Sequence, residues 1–280
     1  MFISTYNISL RTPQWFFYTH PYKRLNGFIN WLNNNNKSDI ICFQEFFIDS
    51  KYIVKHINIL GYNYTYFDIC SGLGIISKKK ILNSCFEEFP KNIRSGFFEK
   101  FYCKRGLQII NFENFTIYNT HLQPFDDIKN LTARKKQVNY IIDKINSNNT
   151  NNIFLVGDLN FNLKLNEDTE NLENLYNKCN FYRLNTTYLT LNKWNMLNYY
   201  EIPTNGMYDY ILIPNNNKFK NIDYNIYKLY MEEKLMYSWS YHILFQYLER
   251  KYIETSEISD HEYLECFIDI DKNINKNENI

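Results

Sequence analysis

The stretch Ile153-Phe154-Leu155-Val156-Gly157-Asp158-Leu159-Asn160 runs from four apolar residues straight into an acid and an amide. A short, continuously apolar run bounded by turn residues marks a buried strand. Residues two apart on an extended chain point the same way, so Asp158 and Asn160 are expected to project together into one pocket. Gly157 permits a close backbone approach. A short carboxylate beside a short amide suits phosphate and metal chemistry, but it also suits a turn or a helix cap. The rest of the chain separates these readings.

Upstream, Val138, Ile141, Ile142 and Ile145 follow a helical period and lead through an Asn-rich loop into this strand. Before them, Leu107 to Ile110 and Phe115 to Thr120 form the arms of a hairpin. Phe2 to Asn7 reads as the first strand, and Leu25, Phe28, Ile29 and Leu32 as a helix covering a sheet. Ile40 to Phe43 is a second buried strand. Ile53, Ile57 and Leu60 suggest a helix ending at Gly61. Tyr62, Tyr64 and Tyr66 alternate as a half-buried strand does, and Leu73 to Ser77 is another. Tyr208 to Ile213 and Tyr263 to Ile270 are late strands. Lys228 to Tyr252, dense in aromatics, reads as an ordinary core helix or hairpin rather than an exposed lip for a lipid or a base. Strands arriving both in hairpins and across helices predict mixed sheets in a layered α/β domain. Residues 1–270 are expected to form a single domain, followed by a polar flexible tail over 271–280.

The 280 residues are 45% apolar and 18% aromatic, enough for a sizeable core, and the net charge of +1 exerts no global pull toward polyanions. Lys78-Lys79-Lys80 and Arg134-Lys135-Lys136 read as solvated faces. The six cysteines form no CxxC pair; Cys42 and Cys266 sit in apolar runs and read as small core residues. Reduced thiols, no signal peptide and no apolar run near the ~20 residues of a membrane span predict an intracellular, cytoplasmic protein. It is expected to act as a monomer.

Six polar groups lie at or near the ends of these strands: Asn7, Gln44-Glu45, Asn119-Thr120-His121, Asp158 with Asn160, Asp209, and Ser259-Asp260-His261. Strand ends at one edge of a sheet are where α/β sites gather. Asp209 lies in the apolar run Tyr208-Asp209-Tyr210-Ile211, where a carboxylate is costly unless paired. These residue types support hydrolysis at phosphorus. Glu45 can hold Mg²⁺, with Mn²⁺ as a substitute, and Asn7 and Asp260 can add ligands directly or through water. His261 can act as base toward water, with Asp209 fixing its tautomer. His121 can stabilise or protonate phosphate and leaving-group oxygens. Asp158 and Asn160 can orient water and phosphate. His20, His56 and His242 lack such neighbours and read as structural. No P-loop, zinc spacing or serine nucleophile elbow occurs.

In this order the motifs resemble the endonuclease/exonuclease/phosphatase superfamily, the fold of the pancreatic-type DNases. The resemblance spans residue 2 to about 270. It implies a four-layer α/β/β/α sandwich, with two mixed β-sheets packed face to face and helices outside. It also implies Mg²⁺-dependent cleavage of phosphate esters by in-line water attack. Thr120-His121-Leu122-Gln123, Gly72-Leu73-Gly74-Ile75-Ile76-Ser77-Lys78, and Arg134 with Gln137 ahead of the amphipathic helix are similar to the neutral sphingomyelinase branch. The implied substrate is a phosphodiester, a lipid head group or a nucleic acid, with peripheral membrane contact. A nuclease, a phosphoinositide-type phosphatase and a non-catalytic binding protein on the same fold are the alternatives.

Overall fold

The computed structural model describes residues 1–10, 17–18, 20–35, 37–95, 103–148, 152–183, 207–216, 219–239, 251–257, 259 and 261–270. Asp260, His242 and the tail over 271–280 lie outside them.

The first strand, β1 (Phe2–Leu10), pairs in parallel with β3 (Ile40–Phe46) and antiparallel with β14 (Tyr263–Ile270). Continuing outward, β5 (Leu73–Ser77) and β4 (Tyr64–Asp68) follow β3, and β11 (Phe219–Tyr227) flanks β14, completing a six-stranded sheet. The second sheet has five strands in the order β10 (Asp209–Leu212), β9 (Ile153–Asp158), β8 (Thr116–His121), β7 (Gly106–Asn111) and β6 (Asn83–Glu88). Here β8 and β9 are parallel and the other pairs antiparallel, so both sheets are mixed.

Three apolar layers define the stack. Leu25, Phe28, Ile29 and Leu32 of α1 (Pro21–Asn34) and Ile53 and Ile57 of α2 (Lys51–Ile57) pack on Tyr6, Ile8 and Phe43, covering the six-stranded sheet. Ile3, Cys42 and Ile75 meet Ile110, Ile117, Phe154 and Val156 between the sheets. Val138, Ile141, Ile142 and Ile145 of α3 (Ile128–Ser147), with Leu175 and Tyr176 of α4 (Asn166–Cys179), cover the outer face of the five-stranded sheet. This is the α/β/β/α sandwich. Cys42 and Cys266 are buried in its centre.

The aromatic-rich stretch, expected as a helix or a hairpin, contributes strands: β12 (Tyr230–Trp239) and β13 (Lys251–Glu257) pair antiparallel, and with β2 (Phe17–Tyr18) they make a third, three-stranded sheet. Strand β6 and helix α4 carry no strong periodic signal. The former has its residues exposed or half-buried, and the latter has Asn and Glu between sparse apolar positions. Arg134 departs from the solvated basic face expected of it. It is fully buried inside α3, not on a solvated face, and neither it nor Gln137 lies ahead of that helix, which starts at Ile128.

Candidate active site

Strands β1 and β3 of one sheet and β8, β9 and β10 of the other deliver their polar ends to the same edge of the sandwich. In β9, Phe154 and Val156 face the inter-sheet core, so the pleat turns Asp158 the same way. Asn7 of β1 faces it across the gap, and its Nδ2 donates to Asp158 Oδ2 at 2.9 Å. Gly157 permits the close approach of β9 to β8 just before Asp158. Its φ is 135°, and a Cβ there would stand 2.0 Å from the Thr120 carbonyl oxygen of β8.

The two sheets are joined directly beneath the site by side chains. Thr5 Oγ1 donates to Gln44 Oε1 (3.1 Å), Gln44 Nε2 to Asn119 Oδ1 (2.7 Å), and Asn119 Nδ2 to Gln108 Oε1 (2.8 Å). Glu45 follows Gln44, and a regular pleat would send it to the opposite face. Glu45 instead has a left-handed φ of 54°, and its Oε1 lies 4.0 Å from His121 Nε2, a residue of the other sheet. Neighbouring residues Gln44 and Glu45 thus both reach the second sheet. Seven non-glycine residues among those described have positive φ. Four of them, Ser9, Glu45, Phe125 and Asn160, lie on the ends or exit loops of β1, β3, β8 and β9. Such backbone conformations cost of order 1–3 kcal/mol each and gather at functional sites.

His261 is held from two sides. Its Nδ1 lies 2.7 Å from Asp209 Oδ2, and its Nε2 lies 3.4 Å from Asn7 Nδ2 and 3.7 Å from Asp158 Oδ2. Ser259 Oγ donates to the Asn7 carbonyl (2.6 Å) and accepts from the His261 amide (3.2 Å), tying this segment to β1. With Nδ1–H donating to Asp209, Nε2 carries the lone pair and accepts from the Asn7 amide. That tautomer is the one a general base needs. His121 Nε2 lies 3.6 Å from Asp158 Oδ2, so Asp158 stands between the two histidines. Burial pushes the Asp158 carboxyl up to about 7, His261 opposes this, and the Asp209 charge adds to it.

Asn160 departs from the extended-chain expectation. Strand β9 ends at Asp158, Asn160 has φ 52°, and its backbone N–H donates to Asp158 Oδ1 (2.9 Å). Its side-chain Nδ2 donates to the Leu122 carbonyl (3.1 Å). The short carboxylate captures the amide two residues on, which bends the chain out of the strand. The structure thus gathers Asn7, Glu45, His121, Asp158, Asp209 and His261 in one pocket, with Asn160 on its rim. Asp260 lies outside the described residues. His20 begins α1, and His56 bonds the Tyr52 carbonyl through Nδ1 at 2.8 Å, both on the helical layer.

Ligand atoms of Asp158, Asp209 and His261 lie within 4.8 Å of one another. Because His261 Nδ1 is engaged by Asp209, we read this trio as a hydrogen-bonded relay rather than a metal cage. Glu45, Asp158 and Asp209 are 8%, 1% and 0% exposed. Glu45, outside that relay and 4.0 Å from His121, offers the hard carboxylate oxygens that suit a divalent cation such as Mg²⁺. Arg105, missed in the sequence, donates from Nη1 to the carbonyls of His121 (3.0 Å) and Leu122 (2.9 Å). Nothing in its local sequence marks it.

The model of the Endonuclease/Exonuclease/phosphatase family matches residues 5–261. No curated protein sequence matches the chain. Among solved structures, a double mutant of beta toxin from Staphylococcus aureus with bound magnesium ions superposes with a TM-score of 0.72 at 17% identity, covering 95% of this chain and 98% of that one. Sphingomyelinase C from Streptomyces griseocarneus gives 0.64 at 16%, covering 95% and 98%. TDP2 of D. rerio, complexed with single strand DNA product, gives 0.60 at 15%, covering 96% and 98%. At these identities the likeness is one of fold.

Proposed function

Because the chain belongs to the endonuclease/exonuclease/phosphatase family, a family of phosphoester hydrolases, we propose that it is a Mg²⁺-dependent phosphodiesterase that releases a phosphorylated head group from a lipid. The observation that carries this reading is the buried Asp209–His261 pair whose Nε2 faces Asn7 and Asp158.

In this reading His261 Nε2 takes the proton of the attacking water, and Asp209 stabilises the imidazolium that forms. The Asn7 amide orients Asp158 and, through it, the water. His121 stands beside Asp158 and Glu45 on the other side of the pocket and donates to phosphate or leaving-group oxygens. Asn160, on the rim, orients the phosphate. Glu45 and Asn7 would hold the Mg²⁺, with Asp260 as a third ligand assigned from sequence. When bound, the ion would polarise the phosphoryl group and offset the charge that builds in the transition state. Catalysis is then mostly positioning and electrostatics among buried polar groups.

The lipid assignment draws support from the loop that follows His121. Phe125 in that loop and Ile128 at the start of α3 are 49% and 85% exposed, apolar side chains open to a lipid surface. A net charge of +1 gives little of the electrostatic attraction that a polyanionic nucleic acid needs. A sphingomyelinase and a magnesium-bearing toxin sharing the fold are consistent with it. Among the described residues no helix is long and apolar enough to cross a membrane. We take residues 1–270 as one catalytic domain, working as a monomer at a membrane surface. The free cysteines suit a reducing, intracellular compartment.

The test is an assay of purified protein against sphingomyelin, DNA, RNA and phosphoinositides, with Mg²⁺ or with EDTA. Head-group release that EDTA abolishes is the expected result. Activity that survives EDTA overturns the metal requirement. Cleavage of DNA alone overturns the lipid assignment in favour of the nuclease reading, which the TDP2 likeness favours.

A further inference from the structure

We propose that the buried Arg134–Asp168 ion pair is a positioning device for the active site, holding the loop after His121 and the loop after Asp158 in one fixed relation. The inference rests on the phosphodiesterase reading for its kinetic consequences, but its geometry stands independently.

Both side chains are fully buried. Arg134 reaches them from α3 and Asp168 from the first turn of α4. Arg134 Nε donates to Asp168 Oδ1 (2.8 Å) and Nη2 to Asp168 Oδ2 (2.5 Å), a bidentate fork. The remaining donors go to the loop after β8. Nη1 bonds the carbonyls of Gln123 (2.8 Å) and Phe125 (2.9 Å), and Nη2 also bonds Asp126 Oδ1 (3.0 Å). Gln137, one turn further along α3, accepts the Gln123 amide at 2.9 Å. Asp168 serves the other loop: its Oδ2 accepts the backbone N–H of Asn162 (3.0 Å), and Asn162 Nδ2 crosses to Asp126 Oδ2 (2.8 Å).

The two loops so fixed leave the strand ends that carry His121 and Asp158, and the second holds Asn160. They also touch each other at the site, where the Leu122 amide donates to the Asp158 carbonyl (2.9 Å) and Asn160 Nδ2 donates to the Leu122 carbonyl (3.1 Å). Phe125 lies on the first of these loops, and Ile128 opens α3 directly after it. Phe125 has φ 71°, and its carbonyl is one that Arg134 holds. A buried ion pair is weak evidence for stability as such, because desolvation offsets its attraction. Here its hydrogen bonds are spent on loop carbonyls and amides. Lysine offers one point of charge and cannot form the fork and the carbonyl bonds together.

The test compares wild type, Arg134→Lys, Asp168→Asn, and Ile145→Ala as a core-destabilised control in the same helix. All are assayed well below their unfolding midpoints. Misplacing groups by fractions of an ångström costs rate, so kcat in the two clamp variants is expected to fall about ten- to a hundredfold with KM changed less than about twofold. The control keeps its kcat. Hydrogen exchange, read by mass spectrometry, should speed up over residues 122–127 and 159–165 and stay unchanged in β1 and β3. This arm needs no activity and so separates failure of the clamp from failure of the phosphodiesterase reading. Unchanged exchange in both loops, or a control that loses kcat as much as the clamp variants, overturns the proposal.

Discussion

His261 Nδ1 and Asp209 Oδ2 lie 2.7 Å apart, although Asp209 opens β10 of the five-stranded sheet and His261 sits just ahead of β14 of the other, 52 positions away in sequence. Asp209 is fully buried, so the histidine cannot turn to expose the other nitrogen without stranding a charge. We expect His261→Ala and Asp209→Asn each to lower kcat about a hundredfold or more. Single-turnover kinetics on folded protein check this. Near-normal turnover in either variant would remove His261 from the role of base.

Glu45 makes a different prediction. If it holds the cation, Glu45→Gln should raise the Mg²⁺ concentration needed for half-maximal activity by about tenfold or more. Turnover at saturating metal should also drop. A Mg²⁺ titration followed by activity and by calorimetry distinguishes a lost ligand from a lost proton carrier. Unchanged metal affinity would assign Glu45 elsewhere.

Asp158 gives a pH signature in metal-free protein. Its folded-state carboxyl is raised from 3.8 to about 7, mainly by burial. Between those values the folded protein keeps a proton that the unfolded chain has lost, so stability is highest at the acid end and falls as pH rises toward 7. The slope from one such group is at most about 1.4 kcal/mol per pH unit. Urea unfolding in EDTA across this range should show the fall, and Asp158→Asn should flatten it. Added Mg²⁺ should stabilise more at pH 7 than at pH 5, since a metal site competes with protons.

Gly157 tests the strand junction. A methyl group placed 2.0 Å from the Thr120 carbonyl oxygen meets backbone, which cannot rotate away. Gly157→Ala should destabilise by about 2–4 kcal/mol, combining positive φ with overpacking. Chemical denaturation at fixed pH measures it, and a cost below about 1 kcal/mol would mean that β8 and β9 separate easily.

Much of this architecture is legible in the sequence because the site residues lie in or adjoin strand-forming apolar runs. Asp158 is found from Ile153–Val156, and Asp209 from the cost of an acid among Tyr208, Tyr210 and Ile211. What the sequence hides is curvature and charge placement. Asn160 was expected on an extended chain, yet the strand stops at Asp158 and the amide turns to Leu122. Arg134 sits in a run of three basic residues that looks solvated, and Lys135 does pair with Glu170 at the surface. Only the tertiary arrival of Asp168 takes Arg134 inward. In β11, Ile222, Tyr224 and Ile226 alternate but on a half-exposed edge, so the signal is weak. The stretch holding β12 and β13 leaves helix and hairpin open in the sequence because aromatics suit both, and the antiparallel pairing decides between them.

The left-handed backbone at Glu45 gives position 45 a meaning for engineering. Asparagine tolerates that conformation better than glutamate does. An Asn there would also relieve the pocket of one buried negative charge. Replacement at this residue is thus a place where thermal robustness and turnover pull in opposite directions, and a screen for heat resistance alone would be drawn to inactive proteins.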